Sequence, residues 1–419
     1  MKTKWQIIRL EDKEIFDLQS GLWSGKTNDL VRARVLRNTN FRNDGRLSFD
    51  DVALLDVDKK QFKDRELQKM DILLERSGGG PAQPVGRVAL FDKDDNYFSF
   101  SNFTSRIRVL DQTKVFPSYL LFYLLFFYKS GGTESLQART TGIRNLNFTD
   151  YKKLEIPHPP LPTQLKIVKI LDSIQSEIGA QKEIIEKTKE LKKSLMKKLF
   201  SEGTRGENLK ETEVGKMPES WEVVRLGDVA EVNPRSNNGL EDNARVGFIT
   251  MADVSNDGYI KNIQERLYKD VKNGFTKFQS GDYLFAKITP CMENGKGGLY
   301  RNDKLYYCFG STEFHIIRSS ERILPVFISY LVNIEKFRKT AAENMSGACG
   351  QKRVPKDFLV EYKFALPSII EQKEIASILE KVDERIESAQ KQKQLHEELF
   401  NTTLNRLMSG EIDVEEVNI

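Results

Sequence analysis

Apolar residues recur in alternating four- and three-residue steps along two long, otherwise charged stretches of this chain. The first runs through Leu171, Ile174, Ile178, Gln181, Ile185, Thr188, Lys192, Leu195 and Leu199. The second runs through Leu379, Val382, Ile386, Ala389, Lys393, His396, Phe400, Thr403 and Leu407. This spacing is the a/d seam of a coiled coil and predicts two long amphipathic helices. Both seams are apolar at their ends and polar in the middle. Neither stretch has another long seam in the chain to bury against, so the two are expected to pair. Antiparallel pairing sets polar middle against polar middle. The competing expectation is that each helix folds onto its own globular neighbour. A proline junction precedes each helix, Ile156 to Pro162 (IPHPPLP) in one case and Leu366-Pro367 in the other. Proline blocks a helix from continuing through it and suits the first turn of a new one. From Gln164 to Phe200 the first helix would extend roughly 55 Å.

Upstream of each junction lies a mixed segment of short β-branched and aromatic runs separated by Gly, Asn and Asp turns, the pattern of sheet-rich globular structure. The two segments repeat one another. Trp5 to Asp12 (WQIIRLED) matches Trp221 to Asp228 (WEVVRLGD), and Asp71 to Leu74 (DILL) matches Asp282 to Phe285 (DYLF). Ser101 through Arg108 matches Ser311 through Arg318 at both ends, Pro117 matches Pro325 before an apolar helix, and Thr141-Gly142 matches Ser346-Gly347. The match closes on Gln164 to Asp172 (QLKIVKILD) against Gln372 to Glu380 (QKEIASILE). A nearly constant offset means that two whole halves are duplicated, not a small solenoid unit. The expected fold class is therefore α+β: two similar globular domains separated by two long antiparallel coiled-coil helices, with pseudo-twofold symmetry. The boundaries read as 1–158 for the first domain, 159–203 for the first helix, 204–366 for the second domain and 367–419 for the second helix and tail.

One further run, Phe116 to Tyr128 (FPSYLLFYLLFFY), is apolar on all sides. It falls short of the roughly 18 residues that a membrane span needs and reads as a buried core helix. The chain opens on MKTKWQIIRLEDKEIF, which has no apolar run of the signal-peptide kind, so a cytoplasmic location is expected.

Composition changes this picture little. The 419 residues fit two to three domains, and 39% hydrophobic residues suffice for real cores. Lys and Arg total 65 against 61 Asp and Glu, a net charge of +4, which permits a nucleic-acid partner without arguing for one. Cys291, Cys308 and Cys349 have no metal-ligand spacing and read as free thiols in a reducing compartment. Catalytic patterns are weak. Ser20 to Thr27 (SGLWSGKT) falls short of a phosphate-binding loop, which needs four residues between its first glycine and Gly-Lys. Asn233-Pro234-Arg235 lacks the aromatic end that an adenine methyltransferase uses to grip a flipped base. No carboxylate cluster of the nuclease kind stands out. His158, His315 and His396 are the only histidines and read as residues of the junction, a strand and the helical seam. Trp5 and Trp221, beside alternating apolar runs, read as core anchors.

The residues now in view resemble a known family. A duplicated domain opening W-x-x-x-x-L-x-D, with a Thr/Ser-Gly turn late in the domain and then a P-L-P-x-x-Q-x-x-I-x-x-I-L-D/E helix start, is similar to the specificity subunits of type I restriction–modification systems. The stretches Gly21 to Lys26 and Val35 to Phe41 resemble one variety of the family's first recognition domain. Gly281 to Pro290 (GDYLFAKITP) and Gly310 to Phe314 (GSTEF) resemble motifs of the second. The first half departs from the pattern, with Met70-Asp71 for Gly-Asp and Arg76 to Gly80 (RSGGG) where the second has Lys287 to Pro290 (KITP).

The resemblance implies a non-catalytic subunit that binds double-stranded DNA, each recognition domain reading half of a bipartite target. It implies two modification subunits that dock on the helices, carry S-adenosylmethionine and methylate adenine. Two restriction subunits that use ATP and Mg can join, and the chain itself would bind no cofactor, metal or membrane. Base edges and phosphates are contacted by Arg, Lys and amides on loops. The candidates are Arg34, Arg37, Arg42, Arg76, Arg139 and Arg144 in the first half, and Arg235, Arg245, Lys287, Lys296, Lys352 and Arg353 at comparable places in the second. The helix starts, Gln164, Ile167 and Leu171 with Gln372, Ile375 and Leu379, are the candidate contacts for the modification subunits, or else plain intramolecular core. Two other readings stay open: an S-adenosylmethionine- or nucleotide-dependent DNA-modifying enzyme, and a coiled-coil adaptor that never touches DNA.

Overall fold

The computed structural model describes residues 5–22, 29–80, 83–95, 97–140, 143–235, 239–348 and 350–414, with the backbone alone at 138–140 and 143. The near-Walker stretch from Trp23 to Thr27, the Thr141-Gly142 turn and Cys349 lie outside the described residues. The chain forms two compact units, Met1–Gln181 with Gln392–Ile419, and Lys182–Lys391. The unit boundaries cut through both long helices, Leu161–Glu202 and Ile369–Met408, so each unit contains the start of one helix and the end of the other.

In the first unit, Gln6–Arg9 pairs antiparallel with Glu155–His158. A four-stranded sheet runs in the order Phe16–Ser20, Thr104–Val109, Ile72–Glu75, Val88–Leu90. A second sheet sets Leu30–Leu36 between Ala53–Asp58, antiparallel, and Phe98–Phe100, parallel. The second unit repeats this. Glu222–Arg225 pairs with Lys363–Leu366 in the same register. The order Ala230–Val232, Phe314–Ser319, Tyr283–Ala286, Gly297–Leu299 copies the first four-stranded sheet. Arg245–Ile249 again has an antiparallel neighbour, Gln264–Leu267, and a parallel one, Tyr307–Gly310. The second unit adds Thr276–Gln279 to that sheet and a hairpin of Leu209–Thr212 with Gly215–Pro218. The duplication read from sequence is thus a duplication of register.

Buried polar clasps are copied as closely as strands. Asp71 is 1% exposed and accepts two hydrogen bonds of 2.7 Å from Arg108; Asp282, equally buried, accepts two of 2.7 Å from Arg318. Each aspartate also accepts a turn amide, from Gln68 at 2.7 Å and Gln279 at 2.8 Å. A carboxylate stripped of water is tolerable only with such full partnering. The bidentate pairs lock the strands Ile72–Glu75 and Tyr283–Ala286 to their neighbours.

The apolar run at 116–128 is the buried helix Pro117–Lys129, capped by Pro at its first position, and no helix among the described residues is long and apolar enough to cross a membrane. Its counterpart is Pro325–Leu331. In the first unit Ile167, Val168 and Leu171 of the first long helix share one core with Tyr119, Phe122 and the end of the second, Phe400, Leu404 and Leu407. In the second unit Met196 and Leu199 share a core with Ile375, Ala376 and Leu379 and with Trp221. Start beside end in both units makes the helices antiparallel. Every seam residue named above is buried or half-buried. Both sequence expectations about the helices therefore hold together: each pairs with the other and each packs on its own domain. In the polar middle, Lys192 meets Asp383 at 2.5 Å, and Asp383 also accepts from Tyr330 Oη at 2.9 Å.

The helix starts, read from sequence either as partner contacts or as intramolecular core, lie in the interior. Gln164, Ile167, Leu171, Gln372, Ile375 and Leu379 are all 0% exposed. Gln164 Oε1 accepts from the Phe116 amide at 2.8 Å, and its Nε2 donates to the carbonyls of Lys114 and Pro159 at 2.8 and 2.9 Å. Gln372 does the same with the Leu324 amide and the carbonyls of Arg322 and Pro367, at 2.9, 3.0 and 3.0 Å. These six residues are the interior joint between domain and helix. A group wholly withdrawn from solvent and fully bonded within the chain offers no surface to another subunit.

Replacing Gln164 by Leu strands the Phe116 N–H and the Pro159 carbonyl, while the Lys114 carbonyl keeps its contact with His158 Nε2 at 2.8 Å. Two buried unpaired groups cost about 3 kcal/mol. We expect urea unfolding of this variant to shift by that amount. Hydrogen exchange should rise in the first unit and not the second, with Gln372→Leu giving the opposite pattern.

Candidate nucleic-acid interface

Strand ends and turns bring several of the candidate cations in the first unit together. The strand Leu30–Leu36 runs into a short 3-10 turn, Asn38–Asn40, whose Asn40 side chain is buried and accepts from the Arg37 amide at 2.8 Å. Asn38 Nδ2 donates to the Ser77 carbonyl, and Ser77 Oγ donates to Asn145 Oδ1 at 2.5 Å. The strand Ser77–Gly79 pairs in turn with Ile143–Leu146 of the hairpin that carries Arg139 and Arg144. Arg37, Arg76 and Arg144 thus sit on three segments knitted into one surface. The Arg139 side chain lies outside the described residues. Gly78, at φ +102, has a backbone that a β-carbon would force against Asn38, which explains that glycine.

Among the described residues, five of these cations are already paired with a carboxylate within their own unit. Arg34 meets Asp95 and lies over the Phe98 ring at 5.2 Å. Arg37 reaches Asp51 and Arg42 reaches Asp50, each at 3.6 Å. Arg245 pairs with Glu265. Arg353 holds Glu313 bidentately at 2.8 and 2.9 Å, which keeps that carboxyl below the usual carboxylate range. Such exposed pairs are worth at most about 1 kcal/mol each, so a phosphate or base edge can take the carboxylate's place. Arg235 and Lys352 are exposed. Arg144 donates to Gln137 Oε1 at 3.3 Å.

Two candidates stand apart. Lys296 donates to the Met251 carbonyl at 2.8 Å. In the first unit Arg87, at the matching strand position, donates to the equivalent Asn38 carbonyl at 3.1 Å and to buried Glu75 at 2.8 Å. Lys296 and Arg87 are ties between the two sheets of their units, not free cations, and sequence reading overlooked Arg87. Arg76 is half-buried; it donates to Ser20 Oγ at 2.7 Å and Ser105 Oγ at 3.4 Å and lies over the Phe148 ring at 4.4 Å. Burial there pushes its guanidinium below the usual value.

The second unit has a depression of about 320 Å³ lined by Asn233, Phe275, Lys277, Lys287, Thr312 and Phe314 among others. One lining residue, Asn233, is held by a hydrogen-bond network. Asn233, at φ +55, pairs its Nδ2 with His315 Nδ1 at 2.9 Å, and its Oδ1 accepts from the Ile316 amide at 3.0 Å. His315 Nε2 lies 2.8 Å from the Val354 carbonyl, an acceptor, so Nε2 carries the proton and Nδ1 accepts. Burial holds the ring pKa below its ordinary value and the imidazole neutral. Sequence reading missed Asn233, Lys277 and Thr312 as site residues. The signal for the location was present, because the 71-to-282 match carries Arg76 onto Lys287. Among the described residues no cluster of His, Cys, Asp or Glu could hold a metal ion.

Comparison with known proteins accords with this duplicated construction. The family model described as "Type I restriction modification DNA specificity domain" matches twice, at residues 3–190 and 218–397. The chain is similar to the MjaVIII type I restriction enzyme specificity subunit of Methanocaldococcus jannaschii, 30% identical over 331 residues that cover 75% of each chain. It is similar to the putative MjaX specificity subunit of the same organism, 24% identical over 426 residues, covering 98% of this chain and 94% of the relative. Its fold is like that of a solved structure described as the basis of complex assembly and conformational transition of the type I R-M system, with a TM-score of 0.59 at 15% identity over 98% of both chains. Matched twice over most of its length, and built twice on one strand register, the chain belongs to the family of the type I restriction modification DNA specificity domain.

Proposed function

We propose that this chain is the DNA-specificity subunit of a type I restriction–modification complex, in which each recognition domain binds one half of a bipartite duplex target. The tandem family match, falling on two units of one register, carries this reading. The recognition segments are 1–158 and 204–366, and the spacer segments 159–203 and 367–419. The cations on the knitted turns of each unit supply the contacts: Arg34, Arg37, Arg42, Arg139 and Arg144 in the first, Arg235, Arg245, Lys287, Lys352 and Arg353 in the second. The chain does no chemistry. Two modification subunits bring S-adenosylmethionine and methylate adenine, and two restriction subunits bring ATP and Mg for cleavage. The complex works in the cytoplasm. The exposed faces of the long helices, where Leu191 and Leu399 are about half exposed at 53% and 50%, dock the modification subunits. The helical pair fixes the distance between half-sites.

Phosphate contacts release counterions, so the binding constant of the complex for duplex DNA falls linearly with salt on logarithmic axes. Arg42→Ala should reduce that slope by about one and weaken all sequences alike if the residue clamps a phosphate. A salt-independent complex would remove DNA from the reading. The chain alone should show no saturable S-adenosylmethionine uptake in equilibrium dialysis. Inserting one heptad at equivalent points of both helices should lengthen the unspecified spacer and leave both half-site sequences as they were, read by mapping methylated adenines genome-wide.

A further inference from the structure

Arg76 and Lys287 occupy the same backbone position in the two units. Each amide donates to the equivalent carbonyl, Arg76 to Phe103 at 2.8 Å and Lys287 to Glu313 at 3.0 Å. Each carbonyl accepts from the equivalent amide, that of Leu146 at 2.8 Å and Val354 at 2.9 Å. Their side chains are in opposite states. Arg76 folds back on two hydroxyls, Ser20 and Ser105, which face one another across adjacent strands. Continuing the register of the second unit puts Pro234 where Ser20 stands and His315 where Ser105 stands. Proline offers no side-chain acceptor. Both ring nitrogens of His315 are engaged, by Asn233 and by Val354. The nearby carboxylate, Glu313, is held bidentately by Arg353. Among the described residues Lys287 has no ion pair, and it lines the 320 Å³ depression with Asn233, which is held by His315 and the Ile316 amide.

We propose that Lys287 is a specificity-determining residue of the second half-site, its ammonium donating to the paired acceptors of a guanine, while Arg76 at the same position is a structural strut that reads nothing. This rests on the DNA-specificity reading above. A lysine has three donors and no acceptor, and among base edges in the major groove guanine offers two acceptors, O6 and N7, side by side. A phosphate clamp needs only an exposed cation. A half-buried lysine that lines a depression instead favours a base edge that enters with it. Thr312 and Lys277 bound the same opening.

The test is to map methylated adenines genome-wide in strains carrying the native chain, K287A, R76A or no copy of the gene. K287A should degrade one guanine position of one half-site, with preference there falling about 5- to 100-fold, as expected for a lost bidentate base contact. The other half-site should stay intact, and R76A should leave both half-site sequences unchanged. Uniformly weaker methylation with an unaltered motif would make Lys287 a phosphate clamp and overturn the proposal; so would an unaltered motif at full strength. If K287A abolishes methylation altogether, K287Q decides. An amide favours adenine, so a shift from guanine toward adenine at that position supports the assignment and retained guanine overturns it. A native strain with no motif dependent on this gene would sink the specificity reading itself, and Lys287 with it.

Discussion

The glutamine five residues after a proline in each junction, Pro159 and Pro367, is the constraint on which the rest of the structure turns. A long charged helix gains little from contact with a sheet-rich domain unless its first turn is fixed. The side chains of Gln164 and Gln372 fix it with three bonds each: to the amide that opens the domain's own apolar helix, to the carbonyl two residues before that amide, and to a proline carbonyl of the junction, Pro159 or Pro367. All are out of water, so none can be surrendered to solvent at low cost. Three separate pieces of chain are thereby held to one point. With the joint rigid, the start of each long helix is fixed to its own domain. A shorter or charged side chain at this position could not make the same three bonds.

Duplication shows which features this architecture holds constant. Strand order, register, the Asp–Arg clasp and the glutamine joint are the same in both units, down to a few tenths of an ångström in hydrogen-bond length. The residues that differ gather at one place in each unit: half-buried Arg76 against half-buried Lys287, with buried Ser105 against buried His315 and Ser20 against Pro234. A buried polar network tolerates no partial change, because one missing partner leaves the others unpaired. An exposed turn carries no such penalty. Recognition can therefore diverge between the halves without disturbing the frame, as two different half-sites require.

Much of this was legible in the sequence for a physical reason. Helical seams, proline starts and apolar runs are local patterns governed by backbone periodicity, and a whole-domain repeat preserves them at a fixed offset. The two readings of the six helix-start residues could not be separated in sequence, because periodicity shows which face of a helix is apolar but not how many bodies cover it. Here a domain and a second helix both do. The roles of Lys296 and Arg76 were hidden for another reason. Each depends on an acceptor far away in sequence, Met251 for one and Ser20 with Ser105 for the other, and only the folded sheets bring these within reach. The partners of Arg34, Arg42 and Arg245 were equally invisible, since Asp95, Asp50 and Glu265 carry no spacing signature.

Those self-paired arginines bear on how such a protein selects its target. A bare arginine surface binds any duplex, because phosphates are everywhere and the attraction is blind to sequence. Every arginine matched by a carboxylate of its own domain must exchange that partner on binding, and the displaced carboxylate is then left near the phosphates. At an indifferent sequence the exchange returns one charge contact for another and gains little. At a matching sequence the same arginine finds a base edge as well, and the balance tips. Among the described residues Arg34, Arg37, Arg42, Arg245 and Arg353 each stand beside a carboxylate and Lys287 has no ion pair; on the proposed reading such pairing lowers general affinity for DNA and leaves discrimination to groups like Lys287.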